Sequence, residues 1–363
     1  MGIAKDNQRV SQSQDKQESV LKKFFYRILS ILYRSAVYIN RLLYLLGIRK
    51  KKYFPKFIIS IGNITAGGTG KTPVTAYVCR ALISKGCATA ILTRGYGSHK
   101  KQVPLIFSGS DGTTYDPKLT GDEPLMLSEM VPEAQIYVYH DRLVSADLAS
   151  VSNDLLVMDD GYQRMNIHKD INILLIDHTQ LFGNEWFLPA GPLRMPISSI
   201  SETDCILITK IERSPSPDII RRLNKLNPTA PVFTHSYSIA SLERRHKTED
   251  KSYESIKGKS VLLFSGIANP SSFEDLVLKT GAKIISKFEF PDHASYTSDQ
   301  IHQVNIEADR LKVDFVITTE KDAVKLDKFG NATQPWLVLK LAHKFDEGFF
   351  DFIWDRYKKN HSH

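Results

Sequence analysis

Cysteine is scarce in this chain of 363 residues. Cys79, Cys87 and Cys205 are the three cysteines, and no two of them have the spacing of a CxxC motif or of metal ligands. A zinc or dithiol redox site is therefore not expected. We predict that the three thiols are buried as small apolar side chains, in a protein of a reducing compartment.

Long uncharged apolar runs are also missing, even from the apolar start of the chain. Residues 21–52 read LKKFFYRILSILYRSAVYINRLLYLLGIRKKK, and a Lys or Arg interrupts the apolar residues at least once in every eight positions. A helix that spans a membrane needs roughly 20 consecutive apolar residues, so a span is not expected. The interleaved arginines and the lack of a small-residue cleavage site argue against a secretory signal.

Acidic residues are absent from the same stretch, which carries nine Lys and Arg residues. Because the whole chain has a net charge of +8, the remainder is close to neutral. A broad nucleic-acid surface needs many cations on the folded body, so no nucleic-acid partner is expected. No protein partner is predicted from the sequence either.

The basic stretch has the pattern of an amphipathic helix. Arg27, Arg34 and Arg41 recur every seven residues and share one helical stripe, while large apolar and aromatic residues occupy much of the rest. We predict a helix that lies in the interface of a membrane containing anionic lipid, with its arginines toward the headgroups. A helix packed on the body of its own protein is the alternative, and it remains open at this stage.

A strand, a glycine-rich loop and a helix follow one another at residues 56–86, in the stretches KFIISIG, NITAGGTGKTP and KTPVTAYVCRALISKG. This is the context that a phosphate-binding loop requires. Lys71 would reach the β- and γ-phosphates of a nucleotide, and the hydroxyl of Thr72 would ligate Mg²⁺. The residues that we expect to bind the nucleotide here are Gly67, Gly68, Thr69, Gly70, Lys71 and Thr72. Thr65 stands where the common motif has its first glycine, so a chance glycine turn remains the alternative.

Two pairs of acidic residues stand at junctions between elements. Asp159 and Asp160 end the apolar run LLVMD, at the edge where α/β sheets bind ligands, and they suit a metal ion with its waters. Asp122 and Glu123 precede a helical pattern in GDEPLML. Turn formation before a glycine and helix capping are the respective structural alternatives.

Apolar strands alternate with helical patterns along the chain, which predicts a mostly parallel α/β sheet. A second, smaller α/β domain is expected after a polar stretch, with His293 and the turn TTEKD (318–322) each following an apolar strand. The expected organisation is a disordered lead (1–20), a basic amphipathic helix (21–52), a phosphate-loop core (53–235), a linker (236–260) and a second domain (261–363).

Eight stretches carry a resemblance to a known family: GNITAGGTGKTP (62–73), LTRGYG (92–97), GDEP (121–124), DDGYQ (159–163), FGNEWFLPAGPLR (182–194), FSGIANP (264–270), FPDH (290–293) and TTEKDAVK (318–325). In this order they resemble tetraacyldisaccharide 4′-kinase, the lipid A kinase of Gram-negative bacteria. The basic start also looks like that family's membrane-associating helix, and Thr65 agrees with the family pattern.

The resemblance implies transfer of the ATP γ-phosphate to the 4′-hydroxyl of a tetraacyl glucosamine disaccharide 1-phosphate, the lipid A precursor. It implies ATP and Mg²⁺ as cofactors and a peripheral location on the cytoplasmic face of the bacterial inner membrane. By this resemblance Asp122 is the catalytic base, assisted by His293 and with Lys71 on the phosphates. The metal set that it implies is Thr72, Glu123, Asp159 and Asp160, and Arg94 is placed near the phosphates.

Three positions depart from the family pattern: Tyr162 replaces a Phe, Met195 replaces an acid after Arg194, and Ala294 replaces a second His after His293. The last departure leaves His293 to act without a neighbouring histidine. Any role that requires both histidines is therefore in doubt.

Rival functions are weaker. A membrane-associated switch ATPase of the partitioning type carries a Lys before its paired glycines, where this chain has Ala66. A GTPase could use TKIE (209–212) for base recognition, but no DxxG switch accompanies it. A non-enzymatic membrane adaptor would have no need of the acids at strand ends, and a nucleotide-binding test separates it from the others.

Overall fold

The computed structural model describes residues 3–95, 103–113, 115–212, 214–244, 256–326 and 335–361, with the side chains of the first helix described from Lys22 onward. Tyr96 and Gly97, at the end of the LTRGYG stretch, lie outside the described residues.

The first half of the chain alternates strands and helices. Its elements are α1 (Ile3–Leu45), β1 (Phe57–Gly62), α2 (Lys71–Ser84), β2 (Thr89–Thr93), β3 (Leu105–Phe107), α3 (Pro117–Thr120), α4 (Asp122–Met130), β4 (Gln135–Val138), α5 (Arg142–Ala149), β5 (Leu155–Asp159), β6 (Ile171–Asp177), β7 (Cys205–Thr209) and α6 (Pro217–Leu226). Short 3₁₀ turns lie at Gly109–Asp111 and Ile197–Glu202.

The second half continues the alternation. Its elements are β8 (Val232–Arg244), β9 (Ser260–Ser265), α7 (Pro270–Lys279), β10 (Lys283–Glu289), α8 (Ser298–Leu311), β11 (Phe315–Thr319), α9 (Glu320–Leu326), β12 (Trp336–Phe345) and α10 (Glu347–His361).

Within the described residues, twelve strands form one sheet in the order β10-β9-β11-β12-β8-β7-β6-β1-β5-β2-β4-β3. The pairs are parallel except β3 with β4 and β8 with β12. The predicted mostly parallel α/β sheet is thus confirmed.

The central strands are buried on both faces, as parallel strands covered by helices must be. All residues of β1, β5, β6 and β7 are buried. This burial explains why the continuous apolar runs KFIISIG and LLVMD located β1 and β5 correctly from sequence, to within one residue at their ends. Cys79, Cys87 and Cys205 are free and buried in the same core, as expected.

An antiparallel ribbon of β8 and β12 joins the two halves of the sheet. β8 pairs with β7 at its start and with β12 along residues 235–244. The expected linker at 236–260 therefore begins too early, because its polar residues 236–244 continue a strand. Residues 236–244 are mostly polar and, apart from Leu242, only partly buried or exposed, so their sequence pattern resembles that of a loop.

The expected second domain is corrected at its carboxyl end. α10 returns to the first half, where Phe349 and Ile353 are fully buried in one apolar cluster with Phe57, Cys79 and Leu82. The second half of the sheet consequently carries helices α7, α8 and α9, and the chain crosses between halves twice, through β8 and β12.

The first helix differs from its expected bounds, since α1 begins at Ile3 and ends at Leu45. The residues expected to form a disordered lead therefore continue the helix as far as Ile3. Among the described residues, none of the helices combines the length and the apolar character needed to cross a bilayer.

The C-terminal helix generates a stability prediction. Phe349→Ala removes a fully buried ring that packs against Tyr77, Phe233 and Phe345. We expect a loss of about 3–5 kcal/mol in the free energy of unfolding, measured by denaturant titration. Phe24→Ala, at a ring that is 61% exposed, is the matched control and should cost less than about 0.5 kcal/mol. Equal losses in the two variants would contradict the docking of α10.

Candidate active site

The glycine-rich loop connects the buried strand β1 to α2 and is fixed at both ends. The amide of Ala66 donates to the carbonyl of Pro192 at 2.7 Å, and the hydroxyl of Thr209 donates to the carbonyl of Thr69 at 2.9 Å. Thr65 forms an isolated bridge with Leu193. The non-glycine residue at position 65 therefore serves to pair the loop with a neighbouring segment.

Two glycines of this loop have left-handed backbone conformations that other residues adopt only with strain. Gly67 has φ of 116° and Gly70, which directly precedes α2, has φ of 82°. Space above Gly68 and Gly70 is open, with nothing within 4 Å of an added Cβ. The loop thus presents its backbone and the start of α2 to a cavity, an arrangement suited to an anion.

Lys71 and Arg194 both lie against Asp160 at the carboxyl end of β5. Lys71 Nζ lies 3.7 Å from Asp160 Oδ1, and the Arg194 guanidinium donates to the two carboxylate oxygens at 2.9 and 3.0 Å. Burial raises the pKa of Asp160, but the Arg194 hydrogen bonds and the Lys71 charge outweigh it and lower the pKa to about 2. Asp160 is consequently an anion with two cations beside it.

The neighbouring Asp159 has the opposite environment. Its carboxylate is buried and accepts a hydrogen bond from the Thr75 hydroxyl at 3.2 Å. Burial first, and then the charges of Glu123 and Asp160, raise its pKa to about 7. The acidic side chains of Glu123, Asp159 and Asp160 therefore repel one another at the carboxyl end of β5.

This cluster fits a magnesium ion that arrives with a nucleotide. Among the described residues, no group of three or more His, Cys, Asp or Glu side chains is arranged to hold a metal by itself. Mg²⁺ in nucleotide sites takes one or two carboxylates and completes its shell with phosphate and water. Asp159, Asp160, Glu123 and the Thr72 hydroxyl can supply such a partial set, and a cation would relieve the repulsion that raises the pKa of Asp159.

Asp122 and His293 come together from the two halves of the sheet. His293 Nδ1 lies 3.0 Å from both carboxylate oxygens of Asp122, which is the first residue of α4. Burial raises the pKa of Asp122, while the His293 hydrogen bond and the charges of Lys321 and Lys325 lower it, with a net decrease. Asp122 is held as a carboxylate, the form that accepts a proton.

Three residues of this region other than glycine have left-handed backbone conformations. Asp160, Lys210 and His293 have φ of 53°, 59° and 60° at the ends of β5 and β7 and in the loop after β10. Such strain in residues other than glycine persists where the surrounding structure imposes it, and it concentrates at functional sites.

The glycine-rich loop and the second half of the sheet enclose a cavity of about 390 Å³. Residues 67–72 and Glu123 line one side, and Asp292 and Lys321 contribute to the other. Its remaining wall is largely apolar and includes Ile267, Phe273, Leu276, Leu339 and Leu341. The structure thus brings most of the sequence-predicted residues to one place.

The cavity wall does not include Asp122, Asp159, Asp160 or His293, but Asp160 contacts Lys71, and Asp122 and His293 contact Lys321. Arg94 is placed differently: it follows β2, is exposed and does not belong to the cavity wall. Burial is the main cause that lowers the pKa of Arg142 and Arg164, and the positive charge of Arg94 adds to the decrease in both. We define Arg94, Arg142 and Arg164 as the arginine cluster.

Sequence reasoning missed Arg142 and Lys321. Arg142 is 2% exposed, and it donates to the carbonyls of Tyr139 and Asp159 at 2.7 and 3.4 Å. Its position at the start of α5 carries no motif, so the sequence offered no signal for it. Lys321 lies in the TTEKD stretch, which the sequence marked without giving the lysine a role.

Comparisons with known proteins identify the family of this chain. A model of the family described as tetraacyldisaccharide-1-P 4′-kinase matches residues 22–358. The chain belongs to this family. The predicted family and the predicted ATP-dependent kinase activity are confirmed.

Curated relatives cover most of the chain. The tetraacyldisaccharide 4′-kinase of Pelobacter propionicus is 34% identical over 300 residues, 82% of this chain and 81% of that protein. The enzyme of the same name from Geobacter metallireducens is 32% identical over 301 residues, with 82% and 87% covered.

A solved structure has the same fold. The crystal structure of LpxK from Aquifex aeolicus, described as an "apo" form in complex with ATP, superposes with a TM-score of 0.71 at 26% identity. The superposition covers 90% of this chain and 97% of that one.

The contact between Asp122 and His293 generates a kinetic prediction. Asp122→Asn keeps the size of the side chain but removes the proton acceptor, so we expect kcat to fall by about 10²–10⁴-fold. The Kd for ATP should stay within roughly threefold, because Asp122 is not expected to hold the nucleotide. Steady-state kinetics and equilibrium binding measure the two effects.

Controls for this prediction use a surface carboxylate and a double variant. Asp147→Asn changes an exposed residue that pairs with Lys52 and should leave kcat unchanged. Asp122→Asn combined with His293→Gln should cost little more than Asp122→Asn alone, since the two side chains act as a unit. Fully multiplicative losses would show that they act independently.

Proposed function

We propose that this protein transfers the γ-phosphate of ATP to the 4′-hydroxyl of a tetraacyl glucosamine disaccharide 1-phosphate, a step of lipid A biosynthesis. The observation that carries the proposal is the meeting of two elements at one cavity. The glycine-rich loop with Lys71 lies on one side, and the carboxylate of Asp122, oriented by His293, lies beside it.

The nucleotide occupies the cavity in this proposal. Its phosphates lie on the backbone of residues 67–72 and against Lys71, where the start of α2 adds a positive potential. Its base lies on the apolar wall formed by side chains such as Phe273 and Leu339. When bound, Mg²⁺ neutralises charge on the phosphates, and Thr72, Glu123, Asp159 and Asp160 are the residues that would hold it with its waters.

Asp122 acts as the base. It takes the proton of the 4′-hydroxyl as the sugar oxygen bonds to the γ-phosphorus, and the bond from that phosphorus to ADP breaks. His293 Nδ1–H donates to the Asp122 carboxylate and fixes its orientation. Phosphoryl transfer demands positioning and charge stabilisation above all, and Lys71 and Asp122 supply these from different elements.

The arginine cluster gives the acceptor a site for its own phosphate. Arg142 is buried, and its Nε has no hydrogen-bond partner in the described residues. Burial is the main cause that lowers the pKa of Arg142, and the positive charges of Arg164 and Arg94 lower it further, so the three guanidinium groups share one electrostatic environment. Guanidinium groups bind phosphate in bidentate fashion, so a 1-phosphate placed here satisfies buried donors that are otherwise unmatched.

The first helix takes the protein to the lipid. α1 docks on the body through a narrow stripe: the Ser30 hydroxyl donates to the Phe187 carbonyl at 2.7 Å, and Arg41 pairs with Glu202 at 2.5 Å. Seven large apolar side chains away from this stripe are exposed: Phe24, Phe25, Ile28, Ile31, Leu32, Ile39 and Leu42. We propose that they enter a membrane surface containing anionic lipid, which places the protein on the cytoplasmic face of the inner membrane.

One member of the arginine stripe does not face the headgroups as expected. Arg41 is buried against Glu202, whereas Arg27, which lies over the Trp186 ring at 5.5 Å, and Arg34 are exposed. We propose that Arg27, Arg34, Lys50 and Lys51 meet the anionic headgroups.

The ribbon of β8 and β12 joins the two halves of the sheet. In this proposal it allows the halves to close on the nucleotide.

Label transfer tests the proposed function. Purified protein, [γ-³²P]ATP, Mg²⁺ and tetraacyl disaccharide 1-phosphate in mixed micelles should yield a labelled bisphosphorylated lipid. Lys71→Met should lower kcat by at least about 10³-fold, while Lys85→Met, at the exposed end of α2, should leave it unchanged. Absence of label in the lipid with the unaltered chain would refute the activity.

Vesicle binding tests the role of α1. Leu32→Glu with Ile39→Glu replaces two exposed apolar side chains, each worth about 1.5–3 kcal/mol when buried. We expect at least a tenfold weaker affinity for vesicles that contain phosphatidylglycerol, measured by cosedimentation. Val151→Glu, at a residue that is 85% exposed on the body, is the control. Equal binding by all three proteins would place the membrane contact elsewhere.

A further inference from the structure

Lys321 stands at the cavity wall opposite the glycine-rich loop, with no role in the mechanism described above. It is the second residue of α9, which follows β11 directly. Its side chain is 18% exposed and lines the cavity together with Lys71 and Thr72. Two lysines from the two halves of the sheet thus face one space.

The Lys321 ammonium group lies among three catalytic-site side chains. Its Nζ is 2.7 Å from Asp292 Oδ1, 3.2 Å from His293 Nε2 and 3.9 Å from Asp122 Oδ2. Since an ammonium can only donate, His293 Nε2 accepts, and the ring proton stays on Nδ1, where it faces Asp122. Lys321 is therefore close enough to Asp122, the proposed base, to reach the phosphoryl group that the activated hydroxyl attacks.

The backbone beneath Lys321 is firmly held by its neighbour Asp322. This carboxylate is fully buried and accepts hydrogen bonds from the Gly266 amide at 3.0 Å and the Tyr296 hydroxyl at 2.6 Å. Lys325 Nζ adds an ion pair at 3.0 Å. A fixed backbone with a long, partly exposed side chain is suited to carry a cation to a ligand in the cavity.

Charge balance requires a cation at this position. Asp292 and Glu320 line the cavity, and Asp122 lies just behind them, so a nucleotide triphosphate would approach several carboxylates. Lys325 cannot serve, because it is 7% exposed and is held by Asp322 and the carbonyl of Ala294. Lys321 is placed between these acids and the cavity.

We propose that Lys321 is a further catalytic residue: its ammonium group leaves Asp292 when the nucleotide triphosphate binds, donates to an oxygen of the terminal phosphoryl group, and keeps this contact as that group is transferred. The proposal rests on the proposed kinase function. In the transition state, charge on the equatorial oxygens is then met by Lys71 from the first half of the sheet and by Lys321 from the second.

Equilibrium binding separates this contact from other roles. Lys321→Met should weaken the affinity for the β,γ-imido analogue of ATP with Mg²⁺ by about tenfold or more and leave the affinity for ADP within about twofold. The kcat for lipid phosphorylation should fall by at least about 10²-fold. Lys321→Arg, which keeps a cation, should restore part of the preference for the triphosphate.

Two control variants complete the experiment. Lys259→Met changes a lysine that is paired with Asp314 outside the cavity and should alter neither affinity. In a His293→Gln background, Lys321→Met should still lower the affinity for the triphosphate analogue, because the phosphate contact does not pass through the imidazole.

Three results would overturn the proposal. Equal losses for ADP and the triphosphate analogue would place Lys321 away from the terminal phosphate. A fall in kcat with both affinities unchanged would show that Lys321 does not contact the terminal phosphate of the bound nucleotide. An effect that vanishes without His293 would reduce Lys321 to a positioning residue. Failure of the unaltered protein to bind ADP or to label the lipid would instead count against the proposed function itself.

Discussion

The contact between Asp122 and His293 is the interaction on which the site depends. It joins α4 in the first half of the sheet to the loop after β10 in the second half, with Nδ1 3.0 Å from both carboxylate oxygens. The two residues are 171 positions apart in the chain, so their meeting requires the whole sheet and its β8–β12 ribbon. The same contact holds Asp122 as an anion and sets the orientation of its carboxylate. Fold and chemistry are therefore linked at this pair.

Four carboxylates, those of Asp122, Glu123, Asp159 and Asp160, stand within one site, and the three aspartates differ in burial and in the charges beside them. Asp160 has Arg194 and Lys71, and its pKa is lowered to about 2. Asp122 has His293 and two lysines, and its pKa is also lowered. Asp159, which is buried and repelled by Glu123 and Asp160, has a pKa raised to about 7. Differences of environment between neighbouring acids separate a proton acceptor from groups that suit a metal ion. Aspartate and glutamate are the only residue types among these four carboxylates, so their surroundings produce the division.

Much of the fold follows from local patterns, and the rest depends on contacts between distant residues. The buried strands Phe57–Gly62 and Leu155–Asp159 were predicted from apolar runs alone, since burial on both faces demands such runs. The ribbon strand β8 was not, because most of its side chains are only partly buried and its partner β12 is distant in the chain. For the site, loop and strand-end motifs indicated Lys71, Asp122 and Asp160. Arg142 has no motif, and its importance becomes visible only when the structure places it behind Asp159.

The segment 182–194 shows how α1 and the phosphate-binding site can share one support. α1 contacts this segment at two carbonyls: the Ser30 hydroxyl donates to Phe187, and the Tyr33 hydroxyl donates to Arg194 at 3.4 Å. The side chain of the same Arg194 binds Asp160 with both of its terminal nitrogens. A substrate with acyl chains remains partly in the bilayer, because each CH₂ that stays out of water is worth about 0.8 kcal/mol. The direction in which the apolar face of α1 points and the position of Asp160 are consequently set by the same short segment. In the membrane arrangement proposed for α1, a lipid held at that face meets a site whose orientation is already set by this segment.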